Sequence, residues 1–531
     1  MEKRVLVALA LSFIVLGFYP LILEKFYPQS VHKSSVKTPL QNSVTSISAG
    51  SVLDKSKDVT FNSPTLSFTL NPSGGVIRKL AFPEFINSET QKPIELFSNE
   101  TPNDTMFDVK VSPIVSFSEE PSEFKIVTSK ETVEMSGELM ASKLAVTKKL
   151  VLGSDGYSGK LHLDVRNTSA NAQEFYYELS AGSAIIPRHS IDQQYIEGNF
   201  YYNHDAKNVL KHIRGTKQGK VDQSEEPVEW VAIKDRHFSV IVKPEKGSAF
   251  RGVVKGTTGR NFSVALVSDK ILLLPGASVT REFTAYFGPN EIERLIPLGL
   301  DPIINFGKLD GIAKLLVGAL ELLHKIFRNY GLAIIALTML INLLLFPFTR
   351  VSYMSMKRMQ LIQPQINKLR EQHGKNPERM NKETMELYKK HKVNPFSGCL
   401  PLVVQMPVFI ALYVALSKSV ILINSKLLWI HDLSSPDSVQ LPMTLPYLGN
   451  QIHILPLIMV AGMVIQQKFT QVKMEGQDPA MEQQQKMMAV MMPIIFGFIF
   501  YTMPSGLVLY WLTNTIIMTL YQLHLKKVTL A

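Results

Sequence analysis

The spacing of apolar residues changes period along this chain. Residues 5–23, VLVALALSFIVLGFYPLIL, are dominated by apolar residues and carry no charge. At about 1.5 Å per residue such a helix nearly matches the roughly 30 Å hydrocarbon thickness of a bilayer. A cleaved signal peptide would have a shorter apolar region ending in small residues, whereas this one ends in Pro20, Leu21, Ile22 and Leu23. Residues 1–26 therefore read as an anchor whose Lys3 and Arg4 hold the amino end in the cytoplasm. Residues 27–62, rich in Ser, Thr, Lys and Val without a periodic apolar face, read as a flexible tether. From 63 to 300 the period becomes two. Leu66, Phe68 and Leu70 alternate with Ser67 and Thr69, the turn Asn71-Pro72-Ser73-Gly74-Gly75 follows, and Val76 and Ile77 resume. The run 144–152, a turn at 153–156 and the alternation Leu161, Leu163, Val165 repeat the pattern, which predicts a large all-β sandwich lying outside the cytoplasm.

The period then becomes helical. Ile312, Leu315, Leu316, Ala319, Leu320, Leu323 and Phe327 share one face, opposite Asp310, Lys314 and Glu321. Residues 301–329 thus predict an amphipathic helix in the outer membrane interface, with packing on the β domain as the alternative. Residues 330–531 form a helical membrane core. Its five further spans are placed at 330–348, 398–416, 454–469, 487–503 and 506–523; several are short for a 30 Å core. Between the first two, residues 350–395 carry Arg350, Lys357, Arg358, Lys368, Arg370, Lys375, Arg379, Lys382, Lys389, Lys390 and Lys392. The positive-inside rule makes this segment and both termini cytoplasmic, with residues 27–329 periplasmic. Within it, helix-compatible runs at 352–372 and 378–392 flank Gly374-Lys375-Asn376-Pro377, a helical hairpin.

Composition narrows the function. The chain has 531 residues, 46% hydrophobic and 19% charged, which divides it between water and lipid. The net charge of +11 lies largely where topology and anionic lipid account for it, so no direct nucleic-acid specificity is expected and ribosome contact would be through the cytoplasmic loops. A single cysteine, Cys399, excludes an intrachain disulfide. P-loop, HExxH and cysteine–histidine metal patterns are absent, so no cofactor, metal or internal ATPase is expected.

The membrane spans carry polar residues that lipid cannot satisfy. Thr338, Asn342 and Thr349 lie within about 40° of one another on a helix. Tyr510, Thr513, Asn514, Tyr521 and His524 cluster on the last span; Gln405, between Pro401 and Pro407, and the pair Gln466-Gln467 add amides from two others. Isolated cases serve as helix–helix hydrogen bonds; stripes on several helices favour a shared hydrated groove lined by Thr338, Asn342, Gln405, Gln466, Gln467, Tyr510, Trp511, Thr513 and Asn514. Met354, Met356, Met359, Met380 and Met385, beside Lys357 and Arg358, give the hairpin adaptable apolar contacts for capturing hydrophobic segments; a merely solvated basic hairpin is the alternative. A small-solute transporter or channel remains a second reading, lowered by the lack of paired intramembrane charges and of an inverted repeat. A membrane-anchored sugar-binding or sugar-modifying protein is the third, prompted by the β domain alone.

Several short motifs in order give the chain a resemblance. Val393-Asn394-Pro395 with Gly398-Cys399, Gln405-Met406-Pro407, Leu428-Trp429-Ile430-His431-Asp432-Leu433, the methionine-rich 487–493 and Pro504-Ser505-Gly506-Leu507-Val508-Leu509-Tyr510-Trp511 resemble the YidC/Oxa/Alb insertases, Gram-negative type. The resemblance implies a periplasmic domain of galactose-mutarotase-like fold, nascent membrane proteins as clients, and work alone or with the Sec translocon in the bacterial inner membrane. It implies a chaperone and insertase rather than an enzyme, with a groove open to cytoplasm and lipid and closed on the outer side. One departure stands out. The family's groove arginine aligns with Asn342, counting back from Phe346-Pro347, and an amide offers a donor and an acceptor without fixed charge. The closing stretch 525–531 is short beside the basic extensions that help some relatives bind ribosomes.

Overall fold

A computed structural model describes residues 54–528 except 89, 99–104, 113–121, 189, 206, 215–218, 257–260, 374–375, 392–399, 446–448 and 471–478. The anchor 1–26 and residues 27–53 of the tether lie outside the described residues. The strand Val59–Asn62 falls within the stretch read as tether; Val59 and Phe61 face inward and Thr60 and Asn62 outward, an alternation too short to separate from its surroundings.

The β domain is a sandwich of antiparallel sheets. Nine strands form one sheet, running in space from Lys207–Ile213 through Glu197–His204, Val228–Lys234, Phe238–Pro244, Ser278–Pro289, Ser158–Asn167, Leu144–Leu152 and Thr132–Leu139 to Phe124–Thr128. A six-stranded sheet centred on Gln173–Ser183 and a four-stranded sheet over 59–98 complete it. The all-β expectation holds, and register shows why. Leu144 faces Asn167 and Leu150 faces Leu161 across one ladder, so the inward residues of both strands meet one core. The turn at 71–75 needs backbone only glycine adopts freely: Gly74 and Gly75 have φ of 84° and 56°, and a Cβ on Gly75 would stand 2.6 Å from the Phe124 ring.

After a helical turn at Ile292–Leu295 the described residues form seven longer helices: α1 Asp310–Phe327, α2 Tyr330–His373, α3 Pro377–Lys390, α4 Leu400–Lys418, α5 Ile454–Thr470, α6 Pro479–Phe500 and α7 Ser505–Val528. Helix α1 turns Ala313, Leu316 and Leu320 onto α2 and α4, not onto the β sheets, and leaves Leu315, Leu322, Ile326 and Phe327 outward. The span read at 330–348 and the helical run read at 352–372 lie on one continuous helix, α2, which passes through Pro347 and Pro364 to His373. A proline removes one backbone donor, a loss neighbouring groups can absorb in a membrane helix; Thr349 Oγ1 donates to Leu345 O at 3.1 Å beside the gap. Helices α2 and α3 pack as a hairpin in which His373 meets Glu383 at 3.1 Å. Among the described residues one stretch, Tyr330–Met359, is long and apolar enough to cross a membrane; Val404–Lys418, Ile454–Phe469 and Ala489–Phe500 are shorter apolar helices.

Candidate functional site

The helical part is inverted relative to a soluble protein. On α2, Thr338 is fully buried and Asn342 is 8% exposed, while Leu343, Leu344, Phe346 and Phe348 face outward. Val490, Ile494 and Phe498 do the same on α6, the last 85% exposed, as do Ile516 and Leu520 on α7. Bare apolar faces of this extent are costly in water and ordinary in lipid.

Polar residues meet inside this belt. Thr338 Oγ1 donates to Ile334 O at 2.7 Å, which satisfies the hydroxyl within its own helix. Asn342 Nδ2 donates to Thr338 O at 2.8 Å and across to Asn514 Oδ1 of α7 at 3.0 Å. One turn away on α7, Tyr510 is fully buried and its hydroxyl accepts from Gln405 Nε2 of α4. Helix α7 is thus a polar spine that addresses α2 through Asn514 and α4 through Tyr510, four residues apart on one face. The prolines of α4 bracket the residue that needs a partner. Pro407 removes a donor from the turn in which Gln405 sits.

The other candidates surround this spine. Thr513 is buried, and Trp511 packs among Phe409, Phe496 and Phe500 with centroid separations of 5.1, 5.1 and 5.4 Å, walling the α4–α6–α7 side. Gln466 and Gln467 are half-buried on α5, one turn from Gly462, where α5 approaches Leu512 and Thr515 of α7. Tyr521 packs on Phe346 and Tyr353, while His524 is exposed. In the hairpin Met354 and Met385 are exposed and Met359 and Met380 half-buried; Lys357 lies over the Tyr353 ring and Arg358 is exposed. The side chain of Met356 lies outside the described residues.

Two features were missed from sequence. The loop after α4 builds a cap over the spine. Asp437 Oδ2 accepts from Leu455 N at 2.8 Å, capping α5, and from Trp429 Nε1 at 3.3 Å. Ser505 Oγ donates to Asp432 O and Ser435 O, both at 2.8 Å, fixing the start of α7. Asp437 is far in sequence from the helix it caps, so no local capping pattern announces it. The same loop docks on the β domain. Val420 and Ile423 join the β core, Asn424 at φ 58° exchanges two hydrogen bonds with the backbone of Ile86, and Arg236 Nη2 donates to Ser434 O at 2.9 Å.

An outward apolar helical belt around buried polar pairs, capped on one side and joined there to a β-sandwich, defines a membrane protein with a large extramembrane domain. Residues 58–319 match the family model of the YidC periplasmic domain, and residues 322–530 match the family described as 60Kd inner membrane protein. The membrane protein insertase YidC of Geotalea daltonii is 30% identical over 550 residues, covering 99% of each chain. The protein of that name from Citrifermentans bemidjiense is 40% identical over 303 residues, 56% of this chain and 53% of the other, so in that alignment the chain spans about half the relative's length. Among solved structures, a galactose mutarotase-like protein from Lactobacillus casei aligns with 43% of this chain and 99% of its own at 8% identity and a TM-score of 0.30. The chain belongs to the YidC family of membrane protein insertases.

Proposed function

We propose that this protein receives the hydrophilic flank of a nascent membrane protein along the α2–α4–α7 spine and releases the apolar segment sideways into lipid. The observation that carries the reading is the pairing of Asn342 with Asn514 and of Gln405 with Tyr510 inside an apolar belt. Charged groups cost roughly 2.5–3.5 kcal/mol at mid-helix on insertion scales, and hydrated amides near the path offset part of that. Burial of the client's apolar segment drives the step, so no nucleotide is required. Asn342 stands where the resemblance places an arginine, so hydration rather than a fixed cation does the work. The α2–α3 hairpin, with Met354 and Met385 exposed, is the capture surface on the cytoplasmic side. The membrane core comprises five spans, α1 lies in the outer interface, and the β domain is periplasmic. The Sec translocon and the ribosome act as occasional partners.

Reconstitution tests this. Purified protein in nucleotide-free liposomes should protect the translocated tail of a single-span client from protease above empty liposomes. Asn342→Leu and Gln405→Leu should each slow insertion about fivefold, the rate equivalent of losing about 1 kcal/mol of polar stabilisation. Wild-type rates in both variants would remove these residues from the path.

A further inference from the structure

We infer that the β domain and the outer end of α4 together form a binding site for the phosphate of an anionic phospholipid headgroup. Three adjacent strands end here. Glu197 and Lys234 are cross-strand partners, His212 projects from the next strand, and Arg214 follows its end. Glu197 is the hub: His212 Nδ1 approaches its Oε1 at 3.0 Å, Lys234 Nζ the same oxygen at 3.1 Å, and Arg214 Nε donates to Oε2 at 2.8 Å. Burial raises the Glu197 pKa, but the His212 hydrogen bond and the charges of Lys234, His212 and Arg214 outweigh it and hold the carboxyl well below its usual range. Lys234 Nζ also donates to Ile303 O at 2.8 Å, and from the membrane side Lys418 Nζ donates to Asn305 O at 2.7 Å.

Charge does not balance among these groups. Lys418 has Lys234 and Arg214 as electrostatic neighbours, with Glu197 and Asp310 as the opposing ones. Asp310 already pairs with Lys314 at 2.9 Å and accepts from Phe306 N. Arg214 and Lys234 therefore share the Glu197 carboxylate, and Lys418 adds a third basic side chain beside them. The Lys234 side chain is 9% exposed, while that of Arg214 is 60% exposed. A buried lysine beside an exposed arginine and a third basic side chain is matched by an anion approaching from the Arg214 side. Its level in the molecule selects the source. Asp310 opens α1, whose Leu315, Leu322, Ile326 and Phe327 need hydrocarbon beside them, so the site stands at outer headgroup height. This placement rests on the topology proposed above.

The test measures binding, not insertion. Full-length protein in phosphatidylcholine nanodiscs is compared with nanodiscs containing phosphatidylglycerol, and with phosphatidylcholine plus inorganic phosphate, reading lipid retention by native mass spectrometry and thermal unfolding. Phosphatidylglycerol should be retained and raise the unfolding temperature, and R214Q and K418M should each weaken retention about fivefold. R214Q, at an exposed position, keeps the test readable where K418M folds poorly. Equal retention of both lipids, or full retention of phosphatidylglycerol by R214Q, overturns the site. A matching shift from inorganic phosphate alone overturns the lipid assignment.

Discussion

Lys148 shows how much one buried side chain decides in the β domain. Its Nζ donates to Gly74 O, Gly75 O and Phe107 O, each at 2.8 Å, and its side chain is fully buried. These carbonyls belong to the left-handed residues of two tight turns, which have no ladder to join. Lys148→Met would leave them orphaned, at a cost of about 3 kcal/mol or more, seen as a lower unfolding temperature. The same residue makes stability depend on pH. Burial lowers its pKa from 10.5 to about 8, against a small opposing pull from Asp108. The unfolded chain thus binds the extra proton between those values, and stability rises with pH there, by on the order of 2 kcal/mol from pH 8 to 9.5. Above pH 10 the buried Tyr157, Tyr177 and Tyr286, whose pKa values burial raises, pull the other way, because the unfolded chain loses those protons first. Urea titrations at pH 8 and 9.5 should show the rise in wild type and a clearly smaller one in Lys148→Met. The residue was legible in principle. In Leu144, Val146, Lys148, Leu150, Leu152 it occupies an inward position, and the alternation reading passed over it as one of two lysines.

Elements were read from sequence where one period dominated. The strands Leu144–Leu152 and Ser158–Asn167 match their alternation because every second residue meets the core. The span at 330–348 and the helical run at 352–372 were read apart, whereas in α2 they are one helix whose continuation through Pro347 depends on neighbours invisible to local pattern. The bonds of the spine are also nonlocal: Asn342 and Asn514 share faces in sequence, but their pairing is set by how α2 and α7 cross. Close crossing has a test of its own. A Cβ on Gly497 of α6 would stand 2.6 Å from Val460 Cγ2 of α5, whereas Gly318 of α1 has nothing within 4 Å. Gly497→Val should therefore cost about 1–3 kcal/mol by overpacking. Gly318→Val carries only its helix-propensity change, a few tenths of a kcal/mol in either direction. Thermal unfolding in detergent separates them, and equal unfolding temperatures would sink the packing argument. Asp437→Ala should remove the α5 cap at about 0.5–2 kcal/mol.

At the scale of the molecule, the β domain braces the cap over the spine. Val420 and Ile423 are buried in the β core, Asn424 is locked to Ile86, and Arg236 reaches Ser434 between the residues that hold the starts of α5 and α7. Arg236 also lies 3.4 Å from Asp192 in a buried pair, so the bond to the cap starts from a rigid ionic base. The polar spine itself is made wholly by α2, α4 and α7. Replacing residues 63–285 by a flexible linker should therefore leave client insertion reduced but present, because no spine residue is removed. The unfolding temperature of the helical core should fall, since Val420 and Ile423 would meet water at about 1.5–3 kcal/mol each. Asn424→Ala, which breaks both bonds to Ile86 while keeping the domain, should lower it in the same direction by less. Complete loss of insertion in a folded deletion variant would move part of the working machinery into the β domain. An unchanged unfolding temperature would mean that the cap holds α5 and α7 through Asp437 and Ser505 alone.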